Sequence, residues 1–371
     1  VVVVVSAIGR AGAPYATDTL QDYAWQRGKH IPARELDLLL SCGEIISGVI
    51  LTGLLNSLGH PSVFLTGPQA GIITDNCFNE ARIIRVEPSK VVKELQSGQI
   101  VIVAGFQGAA EDGEITTLGR GGSDTTAAAL GVALNAELVE IYTDVDGIKT
   151  ADPHIVSEAK TLEHVTYNEI CQLAYEGAKV IHPRAVEIAR QKNLPVRVKC
   201  TFNDEPGTLV TNRGPTLEIK GAILNERSIT GITQISGIVQ IRIPLLPPAG
   251  QNASQVFSKL AEAKISVDFI NIQPEVLLFT VKDEMAGKAR AILGELGLEI
   301  SIRPDVAKVA VVGAGMTGVP GIMARIVQAL TGENIKILQS SDSYTTIWCL
   351  VDRSQMKAAV KALHDQFKLA E

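Results

Sequence analysis

The second half of this 371-residue chain repeats itself. Phe257 corresponds to Val327, 70 positions on. The same gapless offset pairs Leu260 with Leu330, Ile265 with Ile335, Val267 with Ile337, Phe279 with Cys349, Val281 with Val351, Ala289 with Ala359 and Leu293 with Leu363. An offset held through a helix, two strands and another helix requires two copies of one small unit. Each copy reads β-α-β-β-α-β, a ferredoxin-like module. The first copy has a closing strand at 298–303, but the second runs out of chain before its own. A spare strand at 228–235 (SITGITQI) precedes the first copy. That segment is therefore expected to complete the second module, with the first inserted into it.

The first two hundred residues alternate strand and helix. Apolar strands are expected at 1–7, 61–66, 100–105, 136–142 and 196–199. Helical periodicity falls at 34–58, 90–96, 124–134, 167–176 and 183–191. Strands separated by helices predict an α/β fold, a three-layer α/β/α unit around a mostly parallel sheet. Polar, irregular sequence to about 227 marks the boundary. The expected domains are 1–220, 237–305 and 306–371, the last completed by 228–235.

Composition fits large buried cores. Apolar residues make up 46% and aromatics only 4%, so Ala, Val, Ile and Leu must fill the interior. The net charge of −6 carries no block of like charges, which argues against a nucleic-acid partner. Five cysteines without CxxC spacing suggest neither disulfides nor zinc, and fit a reduced, cytoplasmic setting. No apolar run is expected to approach the roughly 18 residues of a membrane span, so no membrane partner is expected either.

The strongest chemical signal is LGRGGSDTTA at 118–127, after the strand IVIVAG and before an Ala-rich helix. Gly119, Gly121 and Gly122 let the backbone approach a ligand closely. Ser123 and Asp124 open the helix, whose free N–H groups and dipole favour an anion. Arg120 can grip a carboxylate with two hydrogen bonds. The plain alternative is ordinary N-capping by Ser123 or Asp124, but a cap needs neither three glycines nor an arginine. In TDVDG, Asp144 and Asp146 sit on a loop after a strand. There they could meet a nucleotide or Mg²⁺, or simply make an Asx turn. VGAGMTG at 312–318 has the glycine spacing of a dinucleotide loop, yet only 53 residues follow Gly318. It is expected to be a tight loop of the second module.

GRGGSDTTA, with GFQG at 105–108, SCGE at 41–44, YTDVDGIKTADP at 142–153 and GAKVIHPRA at 177–185, resembles the aspartate kinases. The likeness runs through nearly the whole chain. It is strongest to the single-polypeptide, Bacillus-type members, through SAIGRAGAPYATD, TTIWCLVD and ALHDQF. The resemblance implies an amino-acid-kinase domain and two ACT modules, with ATP and Mg²⁺ used to phosphorylate the β-carboxylate of L-aspartate. It implies that Arg120 binds the α-carboxylate with Ser123 beside it. Glu44 would hold the amino group, Thr17 would line the same pocket, and Asp124 would be the catalytic aspartate. Thr143, Asp144, Lys149, Thr150, Asp152, Pro153, His154, Lys179 and Val180 would contact the nucleotide, and no metal site is built by the protein alone. Lys149 and His154 depart from the commoner aromatic and arginine.

In the first module the resemblance implies an effector site at Gln251, Asn252, Ala253, Val267, Asp268 and Asn271. The effector would be lysine, threonine or diaminopimelate, and homo-oligomers are expected to form through the ACT modules. Pro247 and Pro248 stand where an aspartate is common. The family's KFGG segment, which carries a lysine, has no counterpart here, because Val1 corresponds to the strand after it. A protein starting at Val1 is expected to be nearly inactive. Two other readings remain open on the residues. One is a kinase of glutamate, acetylglutamate or carbamate, and the other is an amino-acid sensor without catalysis. Glu44 and the paired modules weigh against the first, and an intact GRGGSD against the second.

Overall fold

The computed structural model describes residues 1–28, 30–175, 180–212, 229–245, 249–316 and 318–371; at 175 and 249–252 it describes the backbone alone. Unit one comprises Val1–Ile148, Leu162–Ala174 and the described part of Lys179–Thr216. Unit two comprises Lys149–Thr161, Tyr175 at the end of the first unit's helix 167–175, and the described part of Leu217–Glu371.

Unit one runs β1 (Val2–Val5), α1 (Thr17–Arg27), α2 (Ala33–Ser57), β2 (Ser62–Leu65), β3 (Ile72–Thr74), β4 (Ile83–Val86), α3 (Ser89–Gln96), β5 (Ile100–Ala104), β6 (Gln107–Ala110), β7 (Ile115–Thr117), α4 (Gly122–Ala133) and β8 (Val139–Thr143). It resumes with β9 (His164–Thr166), α5 (Tyr167–Tyr175), α6 (Pro183–Gln191), β10 (Val196–Cys200) and β11 (Thr208–Thr211). β5 lies between β1 and β2, parallel to both. Val101, Ile102, Val103 and Ala104 are all fully buried, which is why IVIVA is unbroken by polar residues. A second sheet, β8-β10-β11-β9, has parallel outer pairs, and a third, β4-β3-β6-β7, is mixed. The short strands β3, β4, β6, β7 and β9 lie outside the predicted set, whereas β11 falls within 205–214, where a strand mixed with turn residues is expected.

Helix α2 corrects one expectation. Its 25 residues are long and apolar enough, by length and composition, to cross a membrane. Its buried polar residues place it instead as a core helix. Asp37 is fully buried. Its Oδ1 and Oδ2 each accept from the Asn79 N–H at 3.0 Å, Oδ2 accepts from the Thr117 N–H at 2.8 Å, and Oδ1 from the Thr117 hydroxyl at 2.7 Å. A carboxylate with that many donors is stable inside protein and costly in lipid.

Unit two runs β12 (Gly231–Pro244), α7 (Ala249–Glu262), β13 (Asp268–Ile272), β14 (Val276–Lys282), α8 (Ala286–Gly294), β15 (Ser301–Val312), α9 (Ile322–Gly332), β16 (Gln339–Asp342), β17 (Thr346–Asp352) and α10 (Met356–Gln366). All six strands form one sheet, in the order β13-β14-β12-β15-β17-β16. β14 and β17 occupy equivalent positions 70 residues apart. Ile265, Phe279, Val281, Ala289 and Leu293, with their repeat partners Ile335, Cys349, Val351, Ala359 and Leu363, are all buried core. The two strands expected before and within the first copy are one strand, β12. Residues Gly231 to Ile235 pair antiparallel with Val312 to Lys308, and Ile238 to Arg242 pair with Val306 to Ser301. A register shift lies between them, next to Gly237 at φ 76°. β15 is likewise one strand, running through both copies. Each copy has its own core, one around Ile241, Val256 and Phe279 and one around Val309, Ile326 and Val351. The described residues 313–316 and 318–321, between β15 and α9, carry turns and no helix or strand, with Met316 buried in the second core.

Candidate active site

The glycine turn expected from the sequence forms at the start of α4. Gly119 (φ 72°) and Gly121 (φ 67°) take left-handed backbone, a conformation that β-carbon-bearing residues rarely adopt. Gly121 is the helix N-cap, and no side chain caps this end. The capping reading of Ser123 or Asp124 is thereby replaced, and the first-turn N–H groups keep their pull on an anion. The need for glycine is partly internal. A β-carbon at Gly121 would stand 2.2 Å from the His182 side chain, and one at Gly122 would stand 2.7 Å from Phe106. The His182 N–H donates to Asp124 Oδ2 at 3.3 Å, and Arg184 donates to the Leu118 carbonyl at 3.1 Å. The start of α6 therefore buttresses the turn. Burial pushes the Asp124 carboxyl above its ordinary value, and the His182 N–H opposes that in part.

Thr17, Glu44, Arg120, Ser123 and Asp124 all line one cavity of about 940 Å³ in unit one. Thr17 opens α1, and Glu44 projects from the middle of α2. Glu44 is only 2% exposed. Its Oε1 accepts from the Ala7 N–H at 3.1 Å, while Oε2 has no hydrogen-bond partner among the described residues. Burial pushes this carboxyl up to about 7, against its own and Ala7's backbone N–H groups. Glu44 thus presents to the cavity a buried carboxyl with one oxygen unpartnered among the described residues.

Arg10 also lines the cavity, and its guanidinium pairs with Asp144, a residue that is not itself a wall of it. That hydrogen bond is the main reason the Asp144 carboxyl lies below its ordinary value. The Thr143 hydroxyl donates to Asp144 Oδ1 at 3.2 Å, and Asn203 donates to Asp146 at 2.8 Å. Sequence reasoning missed Arg10, Asp37 and His182. Arg10 sits in the quoted SAIGRAGAPYATD and His182 in GAKVIHPRA, but their partners are 134 and 58 residues distant, beyond any local pattern.

The other nucleotide-set residues divide. Lys149, Thr150, Asp152, Pro153 and His154 belong to unit two. Pro153 and His154 are exposed, Lys149 Nζ donates to the Thr161 hydroxyl at 3.2 Å, and Asp152 accepts from Gln234 at 3.1 Å. Thr150 requires correction. It is 0% exposed with its hydroxyl bonded inside unit two, so its side chain cannot meet a nucleotide. Val180 is half-buried, and Lys179 lies outside the described residues. Among the described residues no three His, Cys, Asp or Glu side chains gather to hold a metal ion.

The effector set divides as well. Val267 and Asp268 line a second cavity of about 290 Å³ with Phe269, Lys308 and Trp348, whereas Ala253 is buried in α7 and Asn271 is half-buried on β13. The Gln251 and Asn252 side chains lie outside the described residues, as do Pro247 and Pro248. Asp268 Oδ2 is 2.7 Å from Lys308 Nζ, an ammonium only 3% exposed. The acid expected to await an amino group thus already holds one from the same chain.

Residues 1–200 match the amino acid kinase family, and residues 301–365 match the ACT domain. An α/β unit with a glycine-turn pocket, followed by a ferredoxin-like pair, is thus an amino acid kinase with ACT modules. Aspartokinase 1 of Bacillus subtilis is 48% identical over 371 residues, covering 100% of this chain and 91% of that protein. The aspartokinase of Mycolicibacterium smegmatis is 39% identical over 100% of this chain and 88% of that one. Among solved structures, Escherichia coli aspartokinase III with aspartate and ADP superposes with a TM-score of 0.77 at 26% identity, covering 94% of this chain and 79% of that one. Clostridium acetobutylicum aspartate kinase gives 0.76 at 28% identity over 90% and 76%. The same E. coli enzyme with lysine and aspartate, its T-state, gives 0.73 at 26% identity over 95% and 79%. The chain belongs to the aspartokinase family.

Proposed function

We propose that this protein transfers the γ-phosphoryl group of ATP to the β-carboxylate of L-aspartate, giving 4-phospho-L-aspartate. The observation that carries this is the convergence of Glu44, Arg120, Ser123 and Asp124 on one cavity. Arg120 takes the α-carboxylate as a bidentate partner. The free Oε2 of Glu44 takes the α-ammonium, and Thr17 and Ser123 flank the ligand. The nucleophile needs no strong base, because a carboxylate with a reference pKa near 3.9 is already ionised at neutral pH. Catalysis is then positioning and neutralisation of charge on the phosphate oxygens. The uncapped start of α4 faces that charge, and Asp124, beside it, orders the site around the transferring group.

Mg²⁺ in this reading arrives with the nucleotide's phosphates, since no metal cluster exists among the described residues. Thr143, Asp144, Lys149, Asp152, Pro153 and His154 serve the nucleotide. Domains at 1–220, 237–305 and 306–371, the last completed by 228–235, complete the reading. So do an amino-acid effector held by the ACT pair at Val267 and Asp268, homo-oligomers through those modules, and a cytoplasmic setting. Because Lys308 already neutralises Asp268, an effector's ammonium must compete with Lys308 for it. Lysine, threonine and diaminopimelate are the candidates.

Acetylglutamate and carbamate offer no ammonium to Glu44, which disfavours those substrates. A coupled ADP assay on the complete polypeptide, with L-aspartate, L-glutamate, acetylglutamate and carbamate, decides the matter. ADP should form with aspartate alone, and Asp124→Asn should lower its rate by about 10²–10³. Equal turnover of glutamate, or an unimpaired Asp124→Asn, overturns the assignment.

A further inference from the structure

Residues Lys149–Thr161 leave unit one after Ile148 and rejoin it at Leu162. The exit is closed by the Leu162 N–H donating to the Ile148 carbonyl and the Ile148 N–H to the Thr208 hydroxyl, both at 2.8 Å. A connection this long normally lies on the surface. Here it is built into the second ACT module. Ala151, Val156 and Ala159 pack in one buried cluster with Ile232, Ile326 and Leu363.

Thr150 is the clamp. Its N–H donates to the Lys160 carbonyl at 2.9 Å, and its carbonyl accepts from the Ile232 N–H in β12 at 2.8 Å. Its hydroxyl accepts from the Lys160 N–H at 3.1 Å and lies 3.0 Å from His364 Nε2 in α10. With the hydroxyl already accepting from Lys160, the economical arrangement has Thr150 donate to a neutral His364 whose proton sits on Nδ1. His364 is 0% exposed, and Nδ1 has no partner among the described residues. A fully buried imidazole with one ring nitrogen unpaired costs stability, and the proposed phosphoryl transfer makes no use of it. Two outer bonds fix the rest: Gln234 to Asp152 at 3.1 Å and Lys160 Nζ to the Glu371 carbonyl at 2.6 Å.

We propose that segment 149–161 is the output arm of the second ACT module, and that His364 is a positioning residue for nucleotide binding, acting through Thr150. This rests on the reading of Lys149, Asp152, Pro153 and His154 as nucleotide contacts. All four ride on a segment whose resting place is set by β12 and α10. A packed core passes displacement on instead of absorbing it. A shift of α10 or β12 therefore moves the residues of this arm with it.

The test is steady-state kinetics on the complete polypeptide, comparing the KM for ATP with the KM for aspartate. Thr150→Val and His364→Leu should raise the ATP KM about three- to tenfold, the weight of one buried hydrogen bond. The aspartate KM should stay within about twofold, and Thr150→Ser and His364→Gln should restore most of the loss. Gln234→Ala, at a half-buried bond to the arm, should raise the ATP KM by about twofold and serves if the buried variants fail to fold. An unchanged ATP KM in folded variants, or equal rises in both KM values, overturns the proposal. Lys149→Ala separates the two layers. If it raises the ATP KM and the His364 and Thr150 variants do not, the arm contacts nucleotide without being positioned by the module. If Lys149→Ala also leaves it unchanged, the nucleotide reading of the arm fails with it.

Discussion

Glu44 and Asp37 are seven residues apart on α2, both buried acids, and their surroundings give them opposite tasks. Asp37 is saturated with donors from Asn79 and Thr117 and serves the fold. Removing it strands those donors in the interior, so Asp37→Ala should cost about 3–5 kcal/mol in denaturant unfolding. Glu44 has one oxygen free, and its carboxyl is held near 7 by burial. An acid with a raised folded pKa favours folding in its protonated form. That contribution is whole below the unfolded value of 4.5 and is lost as pH rises through about 7. Unfolding free energy should thus fall by up to about 3 kcal/mol across that window, and Glu44→Gln should remove the fall. Binding runs the other way, because an ammonium needs the ionised acid. The aspartate KM of the wild type should rise as pH drops below 7, and in Glu44→Gln it should be high and flat. A pH-independent KM in the wild type would contradict the role given to Glu44.

At the scale of elements, the long periodic segments were legible in the sequence. Helix 34–58 appears as Ala33–Ser57, helix 124–134 as Gly122–Ala133, and helix 183–191 at its expected bounds. Short strands such as Ile72–Thr74 and Ile115–Thr117 were not, because three residues carry no periodicity of their own; partners distant in sequence define them. The continuity of β12 across Gly237 was also hidden, since a glycine with turn-like φ reads as a break when it is a bulge. The glycine turn was legible, but half of its reason was not. Gly121 must be bare because His182 presses on it, a contact 61 positions away in sequence. Gly121→Ala should cost about 1–3 kcal/mol and lower activity by displacing the start of α4. Thermal unfolding beside a kinetic assay checks both, and an unperturbed variant would remove the steric account.

Across the whole molecule, the repeat and the pocket were both readable, but the allotment of segment 149–161 was not. TDVDGIKTADP reads as one loop, yet Ile148 belongs to unit one and Lys149 to unit two. Burial of Ala151 and Thr150 among residues two hundred positions onward explains the division, and nothing local signals it. The repeat predicts matched energetics. Leu293→Ala and Leu363→Ala remove equivalent, fully buried side chains and should each cost about 2–5 kcal/mol. A negligible cost at either would mean that its core does not hold the module. The central claim is that the cavity walled by Glu44, Arg120, Ser123 and Asp124 is where aspartate binds. Calorimetric titration of L-aspartate into the complete, ADP-loaded polypeptide tests it directly, comparing wild type with Arg120→Ala. The wild type should give saturable one-site binding that Arg120→Ala weakens at least about tenfold with its fold intact; equal affinity in the two proteins would place the substrate elsewhere.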